Sequence, residues 1–430
     1  MNRDQPRRPL RILLVSNHRR FKINFRAHPW ARELAARGHD VDVMCHANTE
    51  RWRTTIEHTD GFRIIESPDL LFGALRQGWD PVCAIRRRLF LTREAKDYDI
   101  IHCLDTRLAV IWPSIAYAKA KGIPIVSDWI DWWGRGGLIK ERRPWWYRAF
   151  FSWVEVFFEE YYRNKLDGLT AISHALLERG KGLGVPGERC LFIPGGANVR
   201  AFAHVPEKAE SREKLGIPAD VPVVCFSGLD VLIDLTVAVR AFELLLERDP
   251  RTVLLLVGPT EQDAKNRLIR PEAMANVKAL GPIPYAKLAE SLAAADVFLM
   301  PYTNKVSNIG RWPNKVGDYM CIGRPIVSNP VGEVKHLFEQ YPIGALASED
   351  PKDMADRAWM FLHDPVLSGK AGEIGRTIAR ENFAWDKLIV ALEDWYYDLI
   401  EGRLGPLHFQ KRPVPPVLDQ RVRSAEAGRS

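Results

Sequence analysis

The chain has 430 residues, 46% of them hydrophobic and 27% charged, with a net charge of +7. That is enough for two ordinary domains with full cores. The positive charge is modest and dispersed, and no nucleic-acid-binding module accompanies it, so nucleic acid is excluded as a partner and anionic small molecules or an anionic surface are favoured. No apolar run approaches the roughly 20 residues of a membrane span. The six cysteines (45, 83, 103, 190, 225 and 321) show neither close pairing nor metal-ligand spacing, so they read as buried, reduced thiols of a cytoplasmic protein.

In chain order, "RILLVSN" reads as a buried first strand and not as a secretory signal, because the apolar run is short and Arg follows it. "NFRAHPWARELAARGH" predicts a helix, "DVDVMCH" and "YDIIHCL" strands, "RLAVIWPSIAYAKAKG" a helix and "IPIVSDW" a strand. "WWYRAFFSWVEVFFEEYYRNK" reads as one aromatic helix, followed by strand "GLTAIS", helix "HALLERGKGLG" and strand "CLFIPGG". Such alternation implies a parallel sheet with helices on both faces and ligands at the C-terminal strand ends. The pattern restarts near residue 221 with "VPVVCFSG", after the charged, Pro-rich connector "AFAHVPEKAESREKLGIPADVP". The fold expected is α/β: two doubly wound, Rossmann-like domains, 1–204 and 205–384, facing across a cleft. A closing helix over 385–402 and a Pro-, Arg- and Ser-rich mobile tail over 403–430 complete it.

Three stretches carry chemistry. "PNKVGDYMCIGRPIV" begins a short helix with Lys315 in its first turn, a place that suits an anion. Asp318 is displaced about 4.5 Å along the axis on nearly the same face. That is roughly the step from a diphosphate to its ribose, whose vicinal hydroxyls a carboxylate accepts. "SDWIDWWGRGG" ends a strand. Asp128 and Asp131 there are candidates to orient an acceptor hydroxyl, and Arg135 lies in a glycine loop able to approach phosphates. Six of the 14 tryptophans fall at 129, 132, 133, 145, 146 and 153. Residues 145–162 read either as an interfacial helix making peripheral membrane contact or as a core-facing helix; Glu155, Glu159 and Glu160 count against the membrane.

"PNKVGDYMCIGRPIVSN", "ISHALLERGKGLGVPGERCLFIPGGANVRAF" and "NFAWDKL" together resemble the retaining glycosyltransferase family four, of GT-B architecture, over nearly the whole chain. The resemblance implies transfer of a sugar from a nucleotide-diphosphate donor to an acceptor hydroxyl, with no metal and no cofactor beyond the nucleotide-sugar substrate. The nucleotide is expected on the C-terminal domain and the acceptor on the N-terminal one. After Gly228 the family has Arg and then Lys; here Leu229 takes the Arg place and Ile233 or Asp234 the Lys place. Lys305, Arg311 and Lys315 are the substitute cations, with Arg311 and Lys315 expected at the leaving diphosphate. Asp318 matches the family's second acid, while Gly310 stands where the first is usually Glu. The N–H groups of Asn308, Ile309 and Gly310 are then expected to cradle the ligand. No glycine precedes Gly38, so Asn17 and His18 are expected to line the acceptor side by side chain. A retaining mechanism of this type needs no enzyme base, and Asp131 is a candidate only. The implied role is cell-envelope glycan, glycolipid or exopolysaccharide synthesis in the cytoplasm or at the inner face of the membrane, on a glycan or lipid-linked acceptor. A catalytically silent nucleotide-sugar binder and a GT-B sugar-nucleotide epimerase are the alternatives.

Overall fold

A computed structural model describes residues 7–20, 25–70, 78–228 and 232–409. They form two compact units: residues up to 193 together with those from 388 onward, and residues 194–387. The sequence places the division about ten residues later, near 204.

The first unit is built on eight strands: β1 (Arg11–Arg19), β2 (Asp40–His46), β3 (Thr55–Thr59), β4 (Phe62–Ser67), β5 (Ile100–Cys103), β6 (Ile125–Trp129), β7 (Gly168–Ala171) and β8 (Cys190–Phe192). Their order is β3-β4-β2-β1-β5-β6-β7-β8. Ile12 to Val15 are wholly buried between β2 and β5, which is why β1 reads as a continuous apolar run. All pairings are parallel except β3–β4, an edge hairpin that the sequence reading did not foresee. Its turn is Asp60–Gly61, both with positive φ (47° and 82°), as a two-residue hairpin loop requires.

The second unit has six strands: β9 (Val223–Ser227), β10 (Val253–Val257), β11 (Val277–Ala279), β12 (Val297–Met300), β13 (Ile326–Ser328) and β14 (Gly344–Leu346). They are all parallel, in the order β11-β10-β9-β12-β13-β14, the dinucleotide-fold order. Strand order reverses between β1 and β5 in one unit and between β9 and β12 in the other. The C-terminal ends of those strands are where such a reversal puts a ligand crevice.

The aromatic segment is not one helix. It divides into Trp145–Phe150, Ser152–Tyr161 and a 3-10 turn at Arg163–Lys165, with Phe151 (φ −124°) at the break. The first piece has no buried residue, and it is tied to the second by the Tyr147 hydroxyl, which donates to Glu155 at 2.9 Å. Ser152 Oγ also donates to the Arg148 carbonyl at 2.6 Å, a bond that bends helices. Residues 403–409 are no mobile tail either. Arg189 donates to the carbonyls of Leu404 (2.9 Å) and Pro406 (2.6 Å), and the His408 N–H to Asp167 (2.6 Å). Residues 410–430 lie outside the described residues.

The C-terminal edge of the first sheet is tied by a buried polar chain. Arg26 meets both carboxylate oxygens of Asp128, at 2.5 and 2.8 Å, and the Ile193 carbonyl at 3.0 Å. Thr170 Oγ1 donates to Asp128 at 2.6 Å, and His102 Nε2 lies 3.1 Å from that hydroxyl. His102 Nδ1 lies 2.7 Å from Tyr396 Oη, on the final helix Trp385–Ile400. We predict that Asp128→Ala destabilises this unit by about 3–5 kcal/mol in urea unfolding, the cost of stranding a buried arginine. Removing Arg26 as well should recover part of the loss; a loss under about 1 kcal/mol for the single change would show that the pair does not hold the edge.

Candidate functional site

At the β1/β5 crevice of the first unit, a small cavity is lined by Asn17, His18, Asp105, Arg107, Asp131, Trp133 and Glu159, among others. Asn17 and His18 close β1, and Asp105 to Arg107 follow β5. Asn17 Nδ2 donates to Asp105 at 2.6 Å, which leaves its buried Oδ1 without a partner among the described residues. Glu159 Oε1 accepts from the Trp129 indole (2.9 Å) and the Trp133 N–H (3.0 Å), while Oε2 has no partner among the described residues. Burial pushes the Glu159 carboxyl up to about 7, against the opposing pull of Arg163. The buried Asn17 Oδ1 as an acceptor, and Glu159 Oε2 as a donor when protonated and an acceptor when ionised, suit a ligand that presents hydroxyl groups.

Asn17, His18 and Asp131 are thus brought together. Asp128 also touches the cavity, but both of its oxygens are committed to Arg26 and Thr170. Its part is to hold the cavity wall, and the expected acceptor contact is corrected. Arg135 stands apart from these residues. It lies outside this cavity, exposed and paired with Glu160 at 3.3 Å. Gly134 before it serves packing, since a Cβ there would sit 2.0 Å from Glu159 Oε2, while Gly136 after it meets no atom within 4 Å and is required by its positive φ of 81°. Sequence reasoning missed Asp105, Arg107, Glu159 and Arg163. The first two follow "YDIIHCL" directly, so the switch-point rule could have found them. Glu159 and Arg163, four apart, mark the inward side of their segment.

In the second unit, the helix Lys315–Ile322 is pinned under the end of β9. Ser227 donates its N–H to Tyr319 Oη at 2.9 Å, its hydroxyl lies 2.8 Å from the same oxygen, and Tyr319 stacks on Phe298. Lys315 Nζ donates to the Ser227 carbonyl at 3.1 Å, beside the N–H of Gly228, which donates to Val257. Burial lowers the Lys315 ammonium to about 8; Asp234 opposes the shift and Arg311 adds to it. Asp318 Oδ1 accepts from Tyr285 Oη at 2.9 Å, and no partner of Oδ2 is found among the described residues. Burial raises its carboxyl to about 7, the Tyr285 hydrogen bond opposing.

The loop after β12 is folded on itself. Asn308 Nδ2 donates to the Thr303 carbonyl (2.7 Å), and its Oδ1 accepts from Arg311 (2.6 Å), whose Nε reaches Tyr302 Oη (3.1 Å). The N–H groups of Asn308, Ile309 and Gly310 already donate to carbonyls of Lys305, Lys305 and Val306. They cannot form the anion cradle expected of them. Lys305, just before this short helix, has no ion pair among the described residues. Leu229 and the Ile233 side chain lie outside what is described; Asp234 is buried and accepts from Thr303 Oγ1 at 3.1 Å.

Two family models match: the glycosyl transferase 4-like domain over residues 23–196, and glycosyl transferases group 1 over 222–364. The chain belongs to the GT-B glycosyltransferases of family four. This GT-B chain is 24% identical over 230 residues to a GDP-mannose-dependent monoacylated alpha-(1-6)-phosphatidylinositol monomannoside mannosyltransferase of Corynebacterium glutamicum, covering 52% of this chain and 60% of that protein. It is 28% identical over 231 residues to D-inositol 3-phosphate glycosyltransferase of Thermobispora bispora, covering 50% and 52%. The match thus spans about half of these curated relatives. The fold is shared with sucrose-phosphate synthase from Thermosynechococcus elongatus (TM-score 0.68, 21% identity, 90% of this chain and 99% of that one). It is shared also with Anabaena HepE in complex with UDP (0.64, 15%, 90% and 99%).

The Glu159 shift has a definite sign. A carboxyl near 7 in the folded state and near 4.5 unfolded binds more protons when folded between those values, so its contribution to stability falls as pH rises through that window. Glu159→Gln should flatten this dependence by up to about 3 kcal/mol. Superimposable stability–pH curves for the two proteins would mean that the carboxyl titrates normally.

Proposed function

We propose that this protein is a retaining, metal-independent glycosyltransferase that moves a sugar from a nucleotide-diphosphate donor to an acceptor hydroxyl. The observation that carries this reading is Lys315 and Asp318, three residues apart on one helix held under the β9 end. In this reading the second unit holds the donor. Lys315, Arg311 and Lys305 face the diphosphate, and Asp318 Oδ2 accepts from the ribose hydroxyls. The bond from the anomeric carbon to the phosphate oxygen breaks and a bond to the acceptor oxygen forms on the same face. The acceptor proton passes to the departing phosphate oxygen, and fixed cations stabilise the developing charge. Asn17, His18 and Asp131 in the first unit position the acceptor. The names of the curated relatives support a lipid-linked or glycan acceptor of the cell envelope, met in the cytoplasm at the inner face of the membrane.

One observation favours a second reading, a catalytically silent nucleotide-sugar binder: a carboxylate, Asp234, stands at one of the two positions that can take the family's Lys place. Release of nucleoside diphosphate only when acceptor is present supports transfer. Thermal stabilisation by a nucleotide sugar with no release supports the silent binder. Isomerised donor without acceptor would identify an epimerase.

Neutralising Arg311 or Lys315 should lower turnover roughly 10- to 1000-fold, as loss of a transition-state donor does; a fully active Arg311→Ala, Lys315→Ala protein would place the clamp elsewhere. Donor affinity should be bell-shaped in pH. It rises through about 7 as Asp318 ionises and falls above about 8 as Lys315 loses its proton. Asp318→Asn should remove the acid limb, weaken donor binding by about 1–3 kcal/mol, and abolish discrimination against a 2′,3′-dideoxy donor. Calorimetric titration of both proteins with both donors decides it, and unchanged discrimination would take Asp318 out of the site.

A further inference from the structure

Of the 18 large apolar side chains exposed among the described residues, seven lie between 145 and 161: Trp145, Trp146, Phe150, Phe151, Trp153, Phe157 and Tyr161. Trp145 is 69% exposed, Trp153 67% and Phe150 65%. Scattered exposed apolar residues need no explanation, but a contiguous aromatic patch marks a contact surface. On the helix Ser152–Tyr161, Trp153, Phe157 and Tyr161 recur at steps of four, one helical face, and on the helix Trp145–Phe150 before it Trp146 and Phe150 keep the same step.

The charge around the patch names its partner. The three glutamates of this segment that speak against an anionic surface are not presented to one. Glu155 is buried and accepts from Tyr147 Oη at 2.9 Å, Glu159 is buried in the cavity, and Glu160 is paired with both Arg135 and Arg179. Between residues 140 and 165 the exposed cations are Lys140, Arg142, Arg148 and Lys165, against one exposed acid, Glu141. A groove beside the stripe runs along Trp153, Phe157 and Tyr161, with Arg135 and Lys165 at its rim.

We propose that this face of the first unit docks on an anionic phospholipid bilayer, the aromatic side chains entering the interfacial layer and the cations meeting lipid phosphates. Indole and phenol rings favour the headgroup level, and each basic residue near an anionic surface adds attraction. No helix of the described residues is long and apolar enough to cross a membrane, so the contact is peripheral. The inference deepens the reading of a lipid-linked acceptor, yet vesicle binding is measured without any sugar transfer, so either can fail alone.

The test is sedimentation of the full chain with vesicles of phosphatidylcholine alone and of an equal mixture with phosphatidylglycerol. Binding should be at least about tenfold stronger to the anionic vesicles and should weaken with added salt. Trp145→Ser, Phe150→Ser, Trp153→Ser together should lower it at least about tenfold, with cooperative melting retained because all three side chains are exposed. Lys140→Glu with Arg148→Glu should weaken it through charge alone. Absence of vesicle binding, equal binding to both vesicle types, or unchanged binding by the triple variant overturns the proposal. So does a wild-type dimer in the absence of vesicles that the triple variant dissociates, since the face would then pair copies of the chain.

Discussion

The first unit depends on one buried carboxylate. Asp128, the next-to-last residue of β6, has 1% of its surface exposed, a position where an ionised group survives only if paired and hydrogen-bonded. Arg26 supplies the charge from just ahead of the helix Ala27–Ala36, and so ties the start of that helix to the sheet. Thr170 supplies a hydroxyl from β7. Because that hydroxyl donates to Asp128, its oxygen accepts from His102 Nε2. Burial holds the imidazole down to about 3, so it is neutral, and its Nδ1 accepts from Tyr396. One carboxylate thereby sets a tautomer on β5 and locks the returning C-terminal helix to the sheet. Arg163, donating to the Asp128 carbonyl at 2.9 Å and to the Glu159 carbonyl at 3.1 Å, extends the same hold to the cavity wall.

The second unit solves the same problem with neutral partners and one strained cation. Tyr319 and Ser227 fasten the helix Lys315–Ile322 to β9 without any buried ion pair. Lys315 can then lie over Phe226, 4.5 Å from the ring, with its proton held more loosely than usual. A group on a helix fixed by its neighbours is positioned more sharply than one on a loop. The two titrating groups of this site, Lys315 and Asp318, share that support.

What was legible in the sequence followed from period and position. Continuous apolar runs such as "RILLV" and "VLLLV" can only be strands covered on both faces, and their alternation with helices fixed the architecture. Helical spacing alone relates Lys315 and Asp318, and the structure does place them on one helix, Lys315–Ile322. Asp128 was misjudged because spacing along a strand end does not say which oxygen already has a partner. Arg26, 102 residues from Asp128, leaves no local trace of the pair. The backbone of 308–310 failed for a related reason: a single helical turn consumes the N–H groups that a loop of the same sequence would present. The β3–β4 hairpin announced itself as "DG", a signal passed over in a chain read for parallel strands.

The missing cations after Gly228 can be understood by asking where charge is needed and not which segment brings it. Lys315 Nζ rests 3.1 Å from the Ser227 carbonyl, so its ammonium stands at the end of β9, the strand from which the family's Arg and Lys emerge. Asp234, one of the two residues that can take the Lys place, lies close enough to act on Lys315 and favours its charged form. A lysine there would repel Lys315 and drive off its proton. Once the cation is delivered by the helix that starts at Lys315, a carboxylate is the more consistent neighbour. Arg311, held by Asn308 and Tyr302 on the loop after β12, adds a second positive charge near the first, and Asp234 partly offsets the repulsion between them. In the donor-binding reading, the three groups form one electrostatic unit, in which an acidic residue favours the charged form of Lys315 beside Arg311 until a diphosphate neutralises both cations.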